Sequence, residues 1–225
     1  MDRDVAHIAD DPLPPSKDGG GIPPDHRVGW LERSVPVHAR SFWYCFGGLT
    51  LFTAFMLAAS GAFLALYYEP TPDRAYASIF YISNYVKYGW LILSIHGWGA
   101  RLMVAFLVVH MVRVYLTASY KHPREFTWVV GVLLFVVTMG FNLTGDLLPW
   151  DQKAFATSAA ALSLLGQVPL VGDALVRIVA GGAGLGAPTL TRFYSAHIML
   201  LPALLLGLVL LHFRMVRRHG IAGPL

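Results

Sequence analysis

The sequence predicts an all-α membrane protein, a four-helix transmembrane bundle, and three observations predict it. Of 225 residues, 56% are hydrophobic and only 13% charged, about half the charged fraction of a soluble domain. The apolar residues gather into four long runs, each able to cross roughly 30 Å of hydrocarbon at about 1.5 Å per residue. The runs are separated by proline, glycine and charge rather than by turns between alternating strands. The single cysteine, Cys45, excludes an intrachain disulfide and any Cys-rich metal site. The net charge of +4 is placed as membrane topology requires and gives no sign of nucleic-acid binding.

Residues 1–41 are polar and rich in breakers, with Pro12, Pro14, Pro15, Gly19 to Gly21, Pro23 and Pro24. They are expected to form a flexible segment with a short surface helix around Gly29 to Ser34. The membrane domain is then 42–225. Its first span runs from about Phe42 to Tyr68 and is stopped by Pro70 and Pro72. That run is too long for the apolar region of a signal peptide, so insertion is expected to use the span itself. Arg74 to Lys87 is a mixed, aromatic connector suited to the membrane interface. The second span is Trp90 to Tyr115, followed by the short basic connector SYKHPREF, Ser119 to Phe126. The third runs from Thr127 to Leu148 and ends at Pro149. Trp150 to Arg192 is too polar and glycine-interrupted to cross, and predicts one or two short surface helices and the loop GGAGLGAP. The fourth span, Phe193 to Val216, closes the chain ahead of Arg217, Arg218 and His219.

Four spans place both termini on one side. Arg33, Arg40, Lys121, Arg124 and the C-terminal arginines share that side. On the other, Arg74, Lys87, Lys153, Arg177 and Arg192 are offset by Glu69, Asp73, Asp146, Asp151 and Asp173. The positive-inside rule makes the termini cytoplasmic.

The second span holds His96 and His110, fourteen residues apart, and the fourth holds His197 and His212, fifteen apart. Fourteen residues are close to four turns, about 21 Å. His96 therefore matches His197 in depth near one face, and His110 matches His212 near the cytoplasmic face. Histidines inside a membrane need partners that lipid cannot supply. An interhelical hydrogen bond serves any one of them taken alone. Four at matched depths point instead to two bis-histidine haem sites stacked across the membrane. A zinc site fails, because neither level offers four ligands. The first and third spans carry glycines fourteen apart, Gly47 with Gly61 and Gly131 with Gly145. These suggest slots where a porphyrin plane or a backbone approaches closely. Arg113 and Arg217 are placed to pair with haem propionates, as is Arg124 in the basic connector, although snorkelling explains Arg217 equally well. Arg101, well inside the second span, must find an anion or a wet cavity. Cys45 receives no role from sequence physics alone. GDLLPWDQ reads as a helix stop at Pro149 followed by an Asp151 cap.

The motifs WYCFGGLTL, YYEPT, SIHGWGA, HMVRVYLTASYKHPREFTWVVGV, LTGDLLPWDQ, LTRFYSAH and HFRMVRRHGIAGPL, with the four histidines, cover about Trp30 to the last residue. Together they resemble the short, four-helix cytochrome b of the cytochrome b6 type, from the quinol–cytochrome c and plastoquinol–plastocyanin reductases. The resemblance implies that His96 and His197 hold a low-potential haem b and His110 and His212 a high-potential one. It gives Cys45 a thioether to an additional haem c at a quinone-reducing pocket. It puts Pro149, Trp150 and Asp151 at the border of a quinol-oxidising pocket on the opposite, positive side. It implies a quinol oxidoreductase active only as a complex, in which one electron goes to a Rieske iron–sulfur protein and the other across the membrane to a quinone, with proton translocation. Implied partners are that Rieske protein, a cytochrome c-type subunit, a smaller cytochrome b C-terminal-type (subunit IV-like) membrane subunit, quinones, lipid and a second copy of the complex. The implied location is a bacterial cytoplasmic membrane or an equivalent energy-transducing membrane.

Three departures from the family pattern stand out. Leu93 and Gly97 occupy positions where the family carries arginines flanking the first histidine, and Arg101 is expected to compensate. Asp146 stands where a tyrosine usually follows the glycine. The Pro-Glu-Trp-Tyr motif of the quinol site is absent, which split complexes place on the smaller subunit. Two other readings accommodate the same histidines: a dihaem membrane anchor of a dehydrogenase or hydrogenase, and a haem-free transporter with histidine proton relays.

Overall fold

The computed structural model describes residues 42–182 and 184–220, and among them there is no strand. The expected helix at Gly29 to Ser34 and the whole of the 1–41 segment lie outside the described residues. Phe42–Tyr44 form a single 3-10 turn, so the first long helix, α1, starts later than expected and spans Phe46–Ala65. The others are α2 Ala75–Tyr85, α3 Gly89–Leu116, α4 Glu125–Leu147, α5 Gln152–Gly166, α6 Gly172–Ala180, α7 Ala187–Ser195 and α8 Leu201–His219. A π-helical turn, Ala196–Leu200, joins α7 to α8 in one continuous helix, Ala187–His219. Together with α1, α3 and α4 it makes four helices long and apolar enough to cross a membrane.

The four spans pack as two pairs, α1 along α3 and α4 along α8. The end of the bundle that holds α2, α5, α6 and α7 is called the connector end here, and the opposite one the terminal end. At the connector end α2 lies against α3 and buries Ala75, Ser78 and Ile82. Its outer side exposes Tyr76, Phe80, Tyr81 and Tyr85, side chains that favour a membrane–water boundary. Helices α2 and α3 meet so tightly that a Cβ on Gly89 would land 1.9 Å from the Ile82 carbonyl oxygen. Only glycine fits there.

A small core at this end holds the spans in register. Tyr68, Ala75 and Leu190 are buried together, with Ile79, Leu148, Trp150 and Tyr194 packed around them. The Tyr68 hydroxyl donates to the Leu148 carbonyl at 2.6 Å, bolting the exit of α1 to the end of α4. Burial, and then Tyr194, push the Tyr68 phenol well above the ordinary tyrosine range. Trp150 turns the chain with φ of 53°, a left-handed conformation uncommon for a bulky residue. Asp151 then caps α5 as the sequence predicts, its Oδ1 accepting from the Ala154 amide at 2.7 Å.

The fourth span begins at Ala187, six residues earlier than expected. Pro188 sits in the first turn, where a missing N–H costs nothing. The Thr189 hydroxyl accepts from the Gly186 amide at 3.0 Å and donates to the Ala180 carbonyl at 2.6 Å. At the terminal end, Arg124 donates to the carbonyls of His219 and Gly220, at 3.5 and 3.3 Å. These are the carbonyls a helix leaves unpaired at its C-terminus, so the start of α4 is tied to the end of α8.

Candidate functional site

The helices bring the four histidines together as the sequence spacing predicts. His96 of α3 and His197 of the π turn meet at the connector end, with ring centres 6.3 Å apart and planes at 61°. At the terminal end His110 and His212 are close enough to interact electrostatically. Among the described residues no three His, Cys, Asp or Glu side chains converge. Each level therefore offers two nitrogen ligands and no more.

The four glycines all serve the histidines. A Cβ on Gly61 would stand 3.1 Å from Cε1 of His96, and one on Gly145 would stand 2.8 Å from Cε1 of His197. At the other level a Cβ on Gly47 would come within 3.1 Å of Cε1 of His110, and one on Gly131 within 3.6 Å of Cε1 of His212. Each imidazole thus lays one edge against the bare backbone of the partner helix in its own pair, α1 for α3 and α4 for α8.

At the connector end that edge is also hydrogen-bonded. The Ser60 hydroxyl lies 3.0 Å from Nδ1 of His96, and the Thr144 hydroxyl 3.0 Å from Nδ1 of His197. Each hydroxyl has a single proton. Ser60 is placed to donate it to the Met56 carbonyl at 2.8 Å, and Thr144 to the Gly140 carbonyl at 2.8 Å. Each hydroxyl oxygen then accepts Nδ1–H, which leaves Nε2 of both histidines with its lone pair free. Neither residue was singled out from the sequence. The available signal was a hydroxyl residue directly before a glycine, ASG and LTG, at one histidine level only.

The π turn explains the unequal histidine spacing. At 100° per residue, fourteen residues bring a side chain back to within about 40° of its starting face, and fifteen overshoot by about 60°. In Ala196–Leu200 the Leu201 amide reaches back five residues, to the Ala196 carbonyl. That winds in about one extra residue per turn. Fifteen residues from His197 to His212 therefore cover the rotation that fourteen cover in α3. Pro202, which cannot donate to a carbonyl in the preceding turn, stands just behind it.

Arg113 stacks on Tyr44, its guanidinium 3.5 Å from the ring centre. Its Nε and Nη2 are buried without a hydrogen-bond partner. A buried cation one turn from His110 calls for an anion there. Arg124 spends its donors on the end of α8, and Arg217 has further interactions of its own. Cys45 is exposed, two residues before the glycine that backs His110. Pro149, Trp150 and Asp151 form the junction between α4 and α5, and the Asp146 side chain beside them is exposed. The expectation for Arg101 fails. It follows His96 by five residues, a rotation of about 140°. It is exposed on the far side of α3, where its guanidinium lies 5.1 Å from the Trp98 ring. Its place on the helix therefore gives no support for a role beside His96.

Residues 30–220 match the family model described as Cytochrome b/b6/petB. The chain belongs to the cytochrome b/b6 family. It is 47% identical over 194 residues to the cytochrome b6 of Cyanothece sp., covering 86% of this chain and 87% of that one. It is 46% identical over 203 residues to the menaquinol:cytochrome c reductase cytochrome b subunit of Geobacillus thermodenitrificans, covering 89% and 90%. Among solved structures it resembles a chain of a hyperthermophilic respiratory Complex III, with a TM-score of 0.77 and 33% identity over 82% of this chain. It spans about half of that longer chain, 49%.

The site fits the family's haem. Two imidazole-to-metal bonds of about 2 Å on opposite sides of one ion put ring centres roughly 6 Å apart, as His96 and His197 are. A two-nitrogen donor set suits a metal whose remaining positions a macrocycle fills. The unpartnered nitrogens of Arg113 suit an acidic substituent on it.

Proposed function

We propose that this chain is the haem-carrying subunit of a quinol:cytochrome c oxidoreductase of the Rieske/cytochrome b kind, working only within its complex. The observation that carries the reading is the pair His96 and His197, ring centres 6.3 Å apart, each backed by a glycine and with Nδ1 3.0 Å from a hydroxyl. His96 and His197 hold one haem b, and His110 and His212 a second. Each haem supplies reversible one-electron chemistry at iron, and two of them at successive depths connect the two faces of the membrane. The chain's own residues do the rest. Gly47, Gly61, Gly131 and Gly145 let the imidazoles dock, Ser60 and Thr144 fix two of them, and Arg113 neutralises a propionate. Arg217 at the same end is a second candidate for that task.

Finer features come from the family resemblance. Pro149, Trp150 and Asp151 border the quinol-oxidising pocket at the connector end, on the positive side of a bacterial cytoplasmic or equivalent energy-transducing membrane. The terminal end is cytoplasmic and faces the quinone-reducing pocket, where Cys45 carries an additional haem c by a thioether. A smaller cytochrome b C-terminal-type subunit, a Rieske protein and a cytochrome c-type subunit complete a dimeric complex. Two readouts test the proposal. Pyridine haemochrome analysis of the purified complex should give two haems b per chain, falling to one in His96→Leu or His110→Leu. A colourless chain refutes haem binding. A dihaem chain that neither copurifies with a Rieske protein nor supports quinol oxidation is instead an anchor for a dehydrogenase. Haem staining of the denatured chain, lost in Cys45→Ala, tests the thioether.

A further inference from the structure

The two histidine levels are not built alike. At the connector end the residue before each backing glycine is a hydroxyl, Ser60 before Gly61 and Thr144 before Gly145, and both oxygens lie 3.0 Å from an imidazole Nδ1. At the terminal end the equivalent positions are Phe46 before Gly47 and Val130 before Gly131. There Nδ1 of His212 and the hydroxyl of Thr127 are both buried without a hydrogen-bond partner. The chain therefore supplies a pair of hydroxyl contacts to one bis-histidine site and places no hydroxyl at the equivalent positions of the other.

We propose that Ser60 and Thr144 are positioning residues that set the redox potential of the connector-end haem below that of the terminal-end haem. The inference rests on haem ligation by the four histidines. A hydroxyl that already donates to its own helix is polarised, and its oxygen is a better acceptor for Nδ1–H. Pulling on that proton makes the imidazole a stronger electron donor through Nε2. A stronger donor favours the oxidised, more positive iron, so the midpoint falls. Both bonds would act on the same iron, each through one of its two imidazole ligands. The same bonds hold both rings in the tautomer that can ligate, so they also favour haem retention.

The test is a redox titration of the b-type absorbance in the intact complex, with the connector-end component identified as the one missing from His96→Leu. Ser60→Ala and Thr144→Val should each raise that component's midpoint and leave the other in place. The expected size is about a tenfold rise in the reduced-to-oxidised ratio at fixed potential, about 59 mV for one electron. Ser60→Thr and Thr144→Ser should restore the original value. Should the deletions shed the connector-end haem, the reciprocal variant decides. Val130→Thr offers a hydroxyl to Nδ1 of His212 at almost unchanged volume, and should lower the terminal-end midpoint. Two haems retained with neither midpoint moved in Ser60→Ala and Thr144→Val overturns the inference. So does an equal shift of both haems, or a Val130→Thr protein with an unchanged or raised terminal-end midpoint. Absence of b-type haem from the unsubstituted complex would instead refute the proposed function itself.

Discussion

Alanine at the four backing glycines should produce a graded series whose order is set by distance. The added methyl would stand 2.8 Å from an imidazole carbon at Gly145, 3.1 Å at both Gly47 and Gly61, and 3.6 Å at Gly131. Two opposing effects decide the sign. Alanine is favoured over glycine inside a helix by about 0.8–1 kcal/mol, while forcing a methyl into a packed contact costs about 1–3 kcal/mol. At Gly131 the contact is ordinary, so the helix gain dominates and Gly131→Ala should keep both haems with unchanged or slightly higher thermal stability. At Gly145 the methyl also meets Nδ1 of His197 at 3.4 Å and Nε2 at 3.6 Å. The ring cannot swing aside easily, because Thr144 holds Nδ1 at 3.0 Å and the Phe141 ring packs edge-on at 5.3 Å. Gly145→Ala should therefore lose the connector-end haem, or bind it several-fold more weakly. Gly47→Ala and Gly61→Ala should fall between. Haem per chain by pyridine haemochrome, with a thermal melt of each variant, measures the series. The reasoning fails if Gly145→Ala keeps both haems at unaltered midpoints, or if Gly131→Ala proves the most damaging.

Deleting one residue from Ile198–Leu200 should let the fourth span close into a regular α-helix with a fourteen-residue histidine spacing. Both haems should survive, whereas the same deletion between Val209 and Leu211, beyond the π turn, should rotate His212 out of line and cost the terminal-end haem. Tyr68→Phe removes the hydrogen bond to Leu148 and should destabilise the fold by about 1 kcal/mol. The raised Tyr68 pKa means that, above an ordinary tyrosine pKa of about 10, the unfolded chain releases a proton the folded chain keeps. That component of stability falls as pH rises, and melts across alkaline pH should show a shallower decline in Tyr68→Phe. Arg113→Gln should lower the midpoint of the terminal-end haem and weaken its retention, since a charge-assisted bond is worth about 1.5–3 kcal/mol. Arg101→Leu, on the far side of α3, should leave the connector-end midpoint where it is in the same titration.

What was legible in the sequence is what hydrophobicity and helical rotation alone determine. The four spans, the matched depths of the histidines and the cap at Asp151 all follow from run length, breakers and a 3.6-residue repeat. Boundaries shifted where local chemistry overrode the apolar pattern. The first span gave up Phe42–Tyr44 to a 3-10 turn, and the fourth gained nearly two turns through Pro188 and Thr189. The misplacement of Arg101 came from reading depth without rotation. Five residues are close in height to His96 but point nearly the opposite way.

The site itself was legible in its ligands and hidden in its supports. A histidine in a membrane span is conspicuous because hydrocarbon offers it no partner. A serine or threonine there is not, since its hydroxyl can always turn back to its own helix, as Ser60 and Thr144 do. What gives these two a function is that the same oxygen also faces Nδ1 across the helix pair, and that depends on which helices pair. The fifteen-residue spacing was ambiguous for a related reason. Depth alone made it equivalent to fourteen, whereas rotation made it wrong by about 100°. Only a local π turn reconciles the two. An irregular turn that carries a ligand, with a proline behind it, is the form such a correction takes when the facing of a side chain matters more than the regularity of the backbone.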